Sequence, residues 1–208
     1  MTIDLLFPIV GESLPTDHAY PMYAALSAAV PQFHEPTHRL RFAPVGGIPD
    51  RPGRLRITPC SCLRIRMPDT EMSHVLPLAG RRLEIAGTLL RLGVPTVQML
   101  EPAAMLLARL ATFKNAHDPD RFLEDVQRCL GERNLTGIPS IPCFRSGPRT
   151  GEPRRRIVRV RGKAIVGYSL LVAGLNAADS LTLQEQGLGG RARMGCGFFL
   201  PVRPEAMR

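Results

Sequence analysis

The segment GLGGRARMGCGFFLP, residues 187–201, decides the fold of this chain. It places five glycines and two arginines between a helix-like segment at 176–186 and a strand-like run at 196–202. Walker A and dinucleotide-binding loops run in the order strand, glycines, helix, and a Walker A loop ends in Gly-Lys-Ser/Thr. The order here is helix, glycines, strand, without that ending. A nucleotide-cofactor loop is therefore disfavoured, and we predict no cofactor.

The residue types of this segment suit a phosphodiester backbone. Glycine tolerates positive φ and lets the backbone approach a ligand closely. Arginine supplies a rigid fork of donors that fits phosphate. We therefore predict that the segment binds nucleic acid through Gly187, Gly189, Gly190, Arg191, Arg193, Gly195 and Gly197.

The composition agrees with a polyanionic partner. The 208 residues carry a formal net charge of +9, and only two of the 27 basic residues are lysines, Lys114 and Lys163. Arginine favours planar, bidentate contacts, and a strongly basic domain is one footprint of nucleic-acid binding. A GC-rich genome would also enrich arginine, so composition alone leaves both explanations open.

A second basic run lies upstream of the glycines and consists of Arg154, Arg155, Arg156, Arg159, Arg161 and Lys163. In a continuous strand the last three would share one face, with Val158 and Val160 on the other. Such a stripe fits a groove that follows phosphates, although a solvated sheet face would look the same. Aromatic residues are sparse, so base stacking of the RRM kind is not expected as the main mode of binding.

Cysteines and targeting signals point to a reduced compartment. The five cysteines form no Cys-x-x-Cys pair, and no His-Glu-x-x-His motif occurs, so the sequence predicts no metal site. The N-terminus lacks the features of a signal peptide, and no run approaches the ~18 apolar residues of a membrane span. We expect a cytoplasmic protein without a membrane partner.

Hydrophobic periodicity predicts the order β-α-β-β-α-β twice. The first copy comprises a strand at 2–10, a helix at 17–30 capped by Asp17, strands at 54–58 and 61–67, a short helix at 69–78 and strand at 81–94. The second comprises a strand at 103–112, a helix at 118–130, strands at 156–161 and 164–172, a helix at 176–186 and a strand at 196–202. The predicted class is α+β, with tandem ferredoxin-like (RRM-like) βαββαβ domains at 1–97 and 98–208.

Five motifs carry a resemblance to a known family. They are PTDHAY at 15–20, QFHE at 32–35, PLAGRRL at 77–83, LQEQGLGGR at 183–191 and MGCG at 194–197. With them the chain resembles the CRISPR precursor-RNA processing endoribonucleases of type I systems, in the repeat-associated RNA-binding superfamily, and is similar to their Myxococcus-type subfamily. The resemblance covers nearly the whole chain, and the Gly-rich motif is its most specific part.

The resemblance implies a reaction and its partners. The family cleaves CRISPR repeat RNA without a metal: a ribose 2′-hydroxyl attacks the scissile phosphate and leaves a 2′,3′-cyclic phosphate and a 5′-hydroxyl. The product is mature guide RNA, to which such an enzyme often stays bound with other subunits of a type I effector complex. The chemistry needs a base, an acid and positive charge near the phosphate. Histidine suits either proton role because its unperturbed pKa is near neutral.

The same resemblance points to a catalytic histidine in the first domain. The family often carries it in a Phe/Leu-His-Glu segment after the first helix, which makes His34 the first candidate. His18 and Tyr20 are predicted partners, although His18 could equally be a packed residue at the helix entry. His38 is held in reserve, whereas His74 and His117 are expected to be structural or solvated. No lysine lies near His34, where some relatives carry one.

Two other readings of the chain remain open at this point. One is a catalytically inactive RNA-binding subunit of a CRISPR ribonucleoprotein with the same fold. The other is a basic ferredoxin-like enzyme whose Gly-rich loop binds a small anionic ligand. The first should bind repeat RNA without cutting it, and the second should not bind RNA at all.

Overall fold

The computed structural model describes residues 1–114 and 117–202. Two compact units divide the chain. The first contains residues 1–100 together with 193–195, and the second begins at residue 101 and resumes at residue 196. The short stretch 193–195 thus belongs to the first unit, although the sequence-based division at 97/98 assigned it to the second domain.

Nine strands, two α-helices and three 3-10 turns make up the described first unit. The strands are β1 (Thr2–Val10), β2 (Ser13–Pro15), β3 (Arg41–Ala43), β4 (Ile48–Pro49), β5 (Arg54–Arg56), β6 (Cys62–Pro68), β7 (Arg82–Ile85), β8 (Thr88–Leu92) and β9 (Thr96–Met99). The helices are α1 (Ala19–Ala29) and α2 (Met72–Val75), and the 3-10 turns are Pro31–Phe33, Asp69–Glu71 and Leu76–Leu78.

The main sheet of the first unit is antiparallel and centred on β1. Strand β6 pairs along one side of β1, β3 pairs with β6, and β9 pairs with the other side of β1. The spatial order β3-β6-β1-β9 is the 2-3-1-4 order of a ferredoxin-like sheet. Alternation along β1 buries Ile3, Leu5 and Phe7 in the core together with Leu26 of α1.

The second unit repeats this order. Its elements are β10 (Met105–Ala111), α3 (Pro119–Glu132), β11 (Ile138–Ser140), β12 (Arg155–Val160), β13 (Lys163–Ala173), α4 (Ala177–Gln186) and β14 (Phe199–Pro201). The strands lie in the order β11-β13-β10-β14, again 2-3-1-4, with antiparallel pairing. Leu106 of β10, Phe122 and Val126 of α3 and Leu183 of α4 are buried in its core. The predicted tandem ferredoxin-like fold is confirmed.

The second strand of each ferredoxin-like sheet was predicted in the wrong place. The prediction used 54–58 and 156–161, whereas the sheets use β3 and β11, which have three residues each. Strand β5 instead joins β2 and β4 in a small separate sheet, and β12 extends β13 as a hairpin. The fourth strand of the first unit is β9, and β7 and β8 form an added hairpin at 82–92.

The predicted one-sided stripe of Arg159, Arg161 and Lys163 is also wrong. Val160 pairs with Lys163, so Arg161 and Gly162 form a two-residue hairpin loop between β12 and β13. Their φ values are +49° and +80°, as a type I′ turn requires. The basic side chains therefore surround a hairpin tip instead of lining one strand face.

Two helix N-termini follow the expected capping chemistry and one does not. Asn176 accepts a hydrogen bond from the Asp179 amide at the start of α4, and Asp118 accepts from the amides of Asp120 and Arg121 in α3. The predicted Asp17 cap of α1 is wrong, because the N-cap residue is His18 and its side chain makes no capping bond. In the described part of the chain, no helix is long and apolar enough to cross a membrane.

The Gly-rich segment is held by close backbone approaches in the second unit. Gly197 has a φ of +63°, and a Cβ atom there would lie 1.9 Å from the carbonyl oxygen of Leu188. The Gly197 amide donates to the carbonyl of Leu110, and the Gly190 amide donates to that of Thr112. The segment between α4 and β14 is therefore fastened to the end of β10, and only glycine fits at residue 197.

The substitution Gly197→Ala should lower the free energy of unfolding by about 2 kcal/mol or more, because it adds left-handed backbone strain to a backbone clash. The matched control is Gly131→Ala in α3, where a Cβ meets no atom within 4 Å. It should be neutral or stabilising by up to about 1 kcal/mol. Chemical unfolding measures both, and equal stabilities would contradict the packing role of Gly197.

Candidate functional site

A tyrosine and a histidine meet at the end of α1 in the first unit. The hydroxyl of Tyr23 lies 2.9 Å from Nδ1 of His34. Tyr23 is buried against the core, whereas His34 is exposed at the end of the 3-10 turn Pro31–Phe33. The turn follows α1 directly because Pro31 cannot continue the helical hydrogen bonding, and buried Phe33 anchors it. A buried partner thus orients an exposed imidazole.

This pair can move protons in either direction. The tyrosine hydroxyl can donate to Nδ1 or accept from it, so it is compatible with both neutral tautomers of the His34 ring. Nε2 has no hydrogen-bond partner among the described residues and belongs to an exposed side chain. It can therefore accept a proton from a bound group or give one to it.

A guanidinium group adds positive charge at the same place. Nη1 of Arg193 donates to the backbone carbonyl of His34 at 2.9 Å. Arg193 belongs to the short stretch 193–195 of the first unit, in which Met194 packs against the core. At Gly195, where φ is +75°, a Cβ would lie 2.9 Å from the carbonyl oxygen of Phe42. This close approach to β3 holds Arg193 beside His34.

The two predicted partners of His34 have other surroundings. His18 is 1% exposed, its Nδ1 lies 2.7 Å from the carbonyl of Pro15, and its Nε2 accepts from the Val45 amide. Both ring nitrogens serve the backbone, which supports the packed helix-entry reading. Tyr20 is half-buried against the core. Sequence reasoning chose Tyr20 and missed Tyr23, which lies one helical turn further along α1.

The glycines predicted to bind RNA differ in exposure. Gly189 and Gly190 are exposed beside Arg191, whereas Gly187, Gly195 and Gly197 are buried. The buried three shape the segment through packing. Their direct contact with RNA, like that of the exposed two, stays a prediction.

A basic cavity of about 490 Å³ lies in the second unit. Three of the predicted RNA-binding side chains line it, namely Arg161 and Lys163 at the hairpin and Arg191 of the Gly-rich segment. Lys114 and the ring of Phe113 complete this part of the wall. The fold thus brings together two basic motifs that are separated by nearly thirty residues in sequence.

Further arginines of the second unit crowd around Arg156. Burial lowers the pKa of the Arg156 guanidinium, and the charges of Arg109, Arg154 and Arg149 lower it further. Its Nε is buried without a hydrogen-bond partner among the described residues, and its guanidinium lies 5.9 Å from the ring of Phe144. Such a cluster favours an anion. Arg109, within an apolar strand, offered no sequence signal for this role.

The other predicted basic residues lie in β12 and just before it. Arg155 and Arg159 point to solvent on the face opposite buried Val158. Arg154 precedes the strand, belongs to the arginines around Arg156, and donates from Nε to the carbonyl of Cys143.

Comparisons with known proteins agree with this architecture. Residues 3–204 match the protein family described as Cas6 Crispr. A CRISPR-associated endonuclease Cas6 from Myxococcus xanthus (strain DK1622) is 41% identical over 199 residues, which are 96% of this chain and 81% of that protein. A solved CRISPR associated protein Cas6 superposes with a TM-score of 0.67 at 11% identity, covering 98% of this chain and 99% of the other. A RAMP protein binding different RNA substrates gives 0.64 at 13% identity, with coverages of 98% and 100%.

The solved structures show that the tandem ferredoxin-like fold is shared with CRISPR-associated and RAMP proteins. The family match spans almost the whole chain, and the Myxococcus protein is similar over nearly all of it. The chain belongs to the Cas6 family and is a homologue of its endonucleases.

The contact between Tyr23 and His34 predicts which tyrosine matters. Tyr23→Phe removes the hydroxyl that orients the imidazole, so it should slow cleavage of repeat RNA about tenfold or more. Tyr20→Phe is the matched control on the same helix and should have a much smaller effect. Single-turnover rates with protein in excess measure both. A larger loss in Tyr20→Phe would favour the sequence-based choice instead.

Proposed function

We propose that this chain is a metal-independent endoribonuclease that cuts CRISPR repeat RNA by 2′-hydroxyl attack, yields mature guide RNA and stays bound to it within an effector complex. The observation that carries the proposal is the exposed His34 imidazole, oriented by Tyr23 and flanked by Arg193. The 41% identical relative is named an endonuclease, which supports the reaction class.

The proposed reaction needs only proton transfers and charge stabilisation. The 2′-oxygen loses its proton and bonds to phosphorus, and the bond from phosphorus to the 5′-oxygen breaks as that oxygen gains a proton. Nε2 of His34 takes part as the base or as the acid, and Tyr23 holds the ring in register through Nδ1. We therefore assign His34 the proton transfer and Tyr23 the positioning of its ring.

Arg193 is proposed to supply the positive charge for which some relatives carry a lysine near the corresponding histidine. A guanidinium group has five N–H donors, and one nitrogen of Arg193 is engaged with the His34 carbonyl. The other donors can bind the oxygens of the phosphate as negative charge develops on them. The same residue thereby fixes the backbone of the acid–base group and stabilises the reacting phosphate.

The second unit is proposed to bind the RNA backbone. The cavity with Arg161, Lys163 and Arg191 presents three cations around one concave surface. The arginines around Arg156 repel one another in the absence of an anion, and phosphate groups would relieve that repulsion. Phe113 in the cavity wall offers one aromatic face for a base. A solved structure with the same fold is described as binding different RNA substrates.

End-labelled repeat RNA, incubated with excess protein and EDTA, should give one discrete cut. A single 2′-deoxy substitution upstream of the cut should abolish it, because no nucleophile remains. His34→Ala should lower the single-turnover rate by about 100-fold or more while RNA binding is retained. A denaturing gel and a filter-binding assay measure the two quantities.

The outcomes separate the alternatives. Tight binding without cleavage would identify an inactive RNA-binding subunit, and loss of cleavage in EDTA would refute metal independence. Normal cleavage by His34→Ala would overturn the site and leave the reaction class standing. If the protein neither binds nor cuts repeat RNA, the RNA-processing proposal fails.

The cavity predicts which cations carry RNA binding. Arg191→Ala and Lys163→Ala should each weaken binding and reduce the slope of log affinity against log salt by about 1, since each loses one phosphate contact. Arg121→Ala is the matched control in the same unit, because Arg121 is exposed and paired with Glu124 on α3. Equal slopes for all three variants would place the RNA elsewhere.

A further inference from the structure

In the first unit, two histidines other than the one that contacts Tyr23 share one carboxylate oxygen. Nδ1 of His38 lies 2.5 Å from Oε2 of Glu71, and Nδ1 of His74 lies 2.9 Å from the same oxygen. The ligand atoms of the three residues all lie within 4.8 Å of one another. The imidazole rings are perpendicular, with centroids 5.3 Å apart. Two nitrogens and an oxygen therefore converge on one small volume.

The three residues are supplied by two separate pieces of chain. Glu71 and His74 are three residues apart on the helical turns 69–75, so they project from one side of that short helix. His38 comes from the segment between the 3-10 turn Pro31–Phe33 and β3, the segment that also begins with His34. The side chains of His38 and Glu71 are 20% and 17% exposed, and that of His74 is 37% exposed, so solvent ions can reach the cluster.

A second carboxylate lies behind His38. Oε2 of Glu35 is 3.2 Å from Nε2 of His38, the ring nitrogen that faces away from Glu71. Histidine ligands of metals almost always donate their other N–H to a carboxylate, carbonyl or water, which fixes the tautomer and strengthens the ligand. Glu35 and His38 have this arrangement, with Nδ1 left for the shared site.

We propose that His38, Glu71 and His74 bind a divalent transition metal ion, with Zn²⁺ as the best-suited cation. Two imidazoles and one carboxylate match the ligand set of many zinc sites with an open fourth position, whereas Mg²⁺ and Ca²⁺ prefer oxygen ligands. Ligands of tetrahedral zinc lie about 3.3 Å apart, given metal–ligand bonds of about 2.0–2.1 Å. To reach this spacing, the distances of 2.5 Å and 2.9 Å from Oε2 of Glu71 to the two Nδ1 atoms must each lengthen by less than about 1 Å.

Binding exchanges protons for the metal. Each imidazole Nδ1 must be deprotonated to bind, so any N–H that points to Glu71 is released to solvent as the metal enters. The ion would link the segment after His34 to the helical turns 69–75. The role of the ion is structural, and His34 is not one of its ligands. The site therefore goes beyond the proposed cleavage reaction, which is expected to proceed in EDTA.

Calorimetric titration of the tag-free, metal-stripped full chain with ZnCl₂ tests the proposal. We expect one Zn²⁺ per chain. His74→Ala and Glu71→Gln should each weaken binding at least about tenfold, and Glu35→Gln should weaken it by about 10–100-fold through the lost outer hydrogen bond. His117→Ala removes a histidine of the second unit and should leave the affinity unchanged. Co²⁺ in place of Zn²⁺ should give the intense visible absorption of a tetrahedral site in the wild type and in His117→Ala, and not in His74→Ala or Glu71→Gln.

Two outcomes of the titration would refute the proposal. If the wild type binds Zn²⁺ no more tightly than Glu71→Gln or His74→Ala, the three residues are a hydrogen-bonded cluster and the proposal is wrong. Equal weakening in His117→Ala would mean scattered surface binding and would also refute it. Melting temperatures without Zn²⁺ check that the variants fold, and on addition of Zn²⁺ the wild type and His117→Ala should gain more stability than Glu71→Gln or His74→Ala. The RNA cleavage assay does not enter this test, so either proposal can fail without the other.

Discussion

The structure around the candidate site depends on two places where there is no room for a side chain. A Cβ at Gly197 would overlap the carbonyl oxygen of Leu188, and a Cβ at Gly195 would press on that of Phe42. At both positions the glycine backbone lies against another stretch of backbone. Both φ values are left-handed, so any other residue would be strained there. Within the first unit, Gly195 holds the nearby Arg193 where the guanidinium reaches the carbonyl of His34. A motif that appears in the sequence as a phosphate-binding loop therefore also places a cation beside the candidate histidine.

The accuracy of the sequence-based prediction depends on the length of the periodic pattern in each element. Long elements with clear periodicity, such as β1 and α3, lie where the pattern placed them. The two three-residue strands β3 and β11 show no alternation long enough to detect, and β11 contains Pro139, so the stronger neighbouring runs were chosen in their place. The same error occurred in both units because each short second strand is followed in sequence by a run with clearer alternation, 54–58 in the first unit and 156–161 in the second. The predicted order of elements was still correct, and so was the predicted fold.

The candidate site was predictable where the residues are adjacent and not where folding assembles them. Phe33-His34-Glu35 is a contiguous motif that identifies His34, but the choice between Tyr20 and Tyr23 depends on the direction in which α1 leads into the Pro31–Phe33 turn. Helical residues three apart lie near each other, so a shift of one turn is easily missed. Glu71 and His74 have the i,i+3 spacing of one helix face, but no spacing rule connects them with His38. The pairing of Arg161 and Lys163 with Arg191 likewise arises from the hairpin and not from a strand face.

The site around His34 and the cluster around Arg156 differ in the charges of the groups that surround them. In the first unit the His34 ring contacts the hydroxyl of Tyr23, and the Arg193 guanidinium donates to the backbone carbonyl of His34. Around Arg156 the neighbours are other arginines, and both burial and their charges lower the pKa of its guanidinium. On the proposed function, RNA affinity would come mainly from the second unit, where positive charge is concentrated, and it would depend on salt. Cleavage would depend on the geometry of Tyr23, His34 and Arg193 in the first unit.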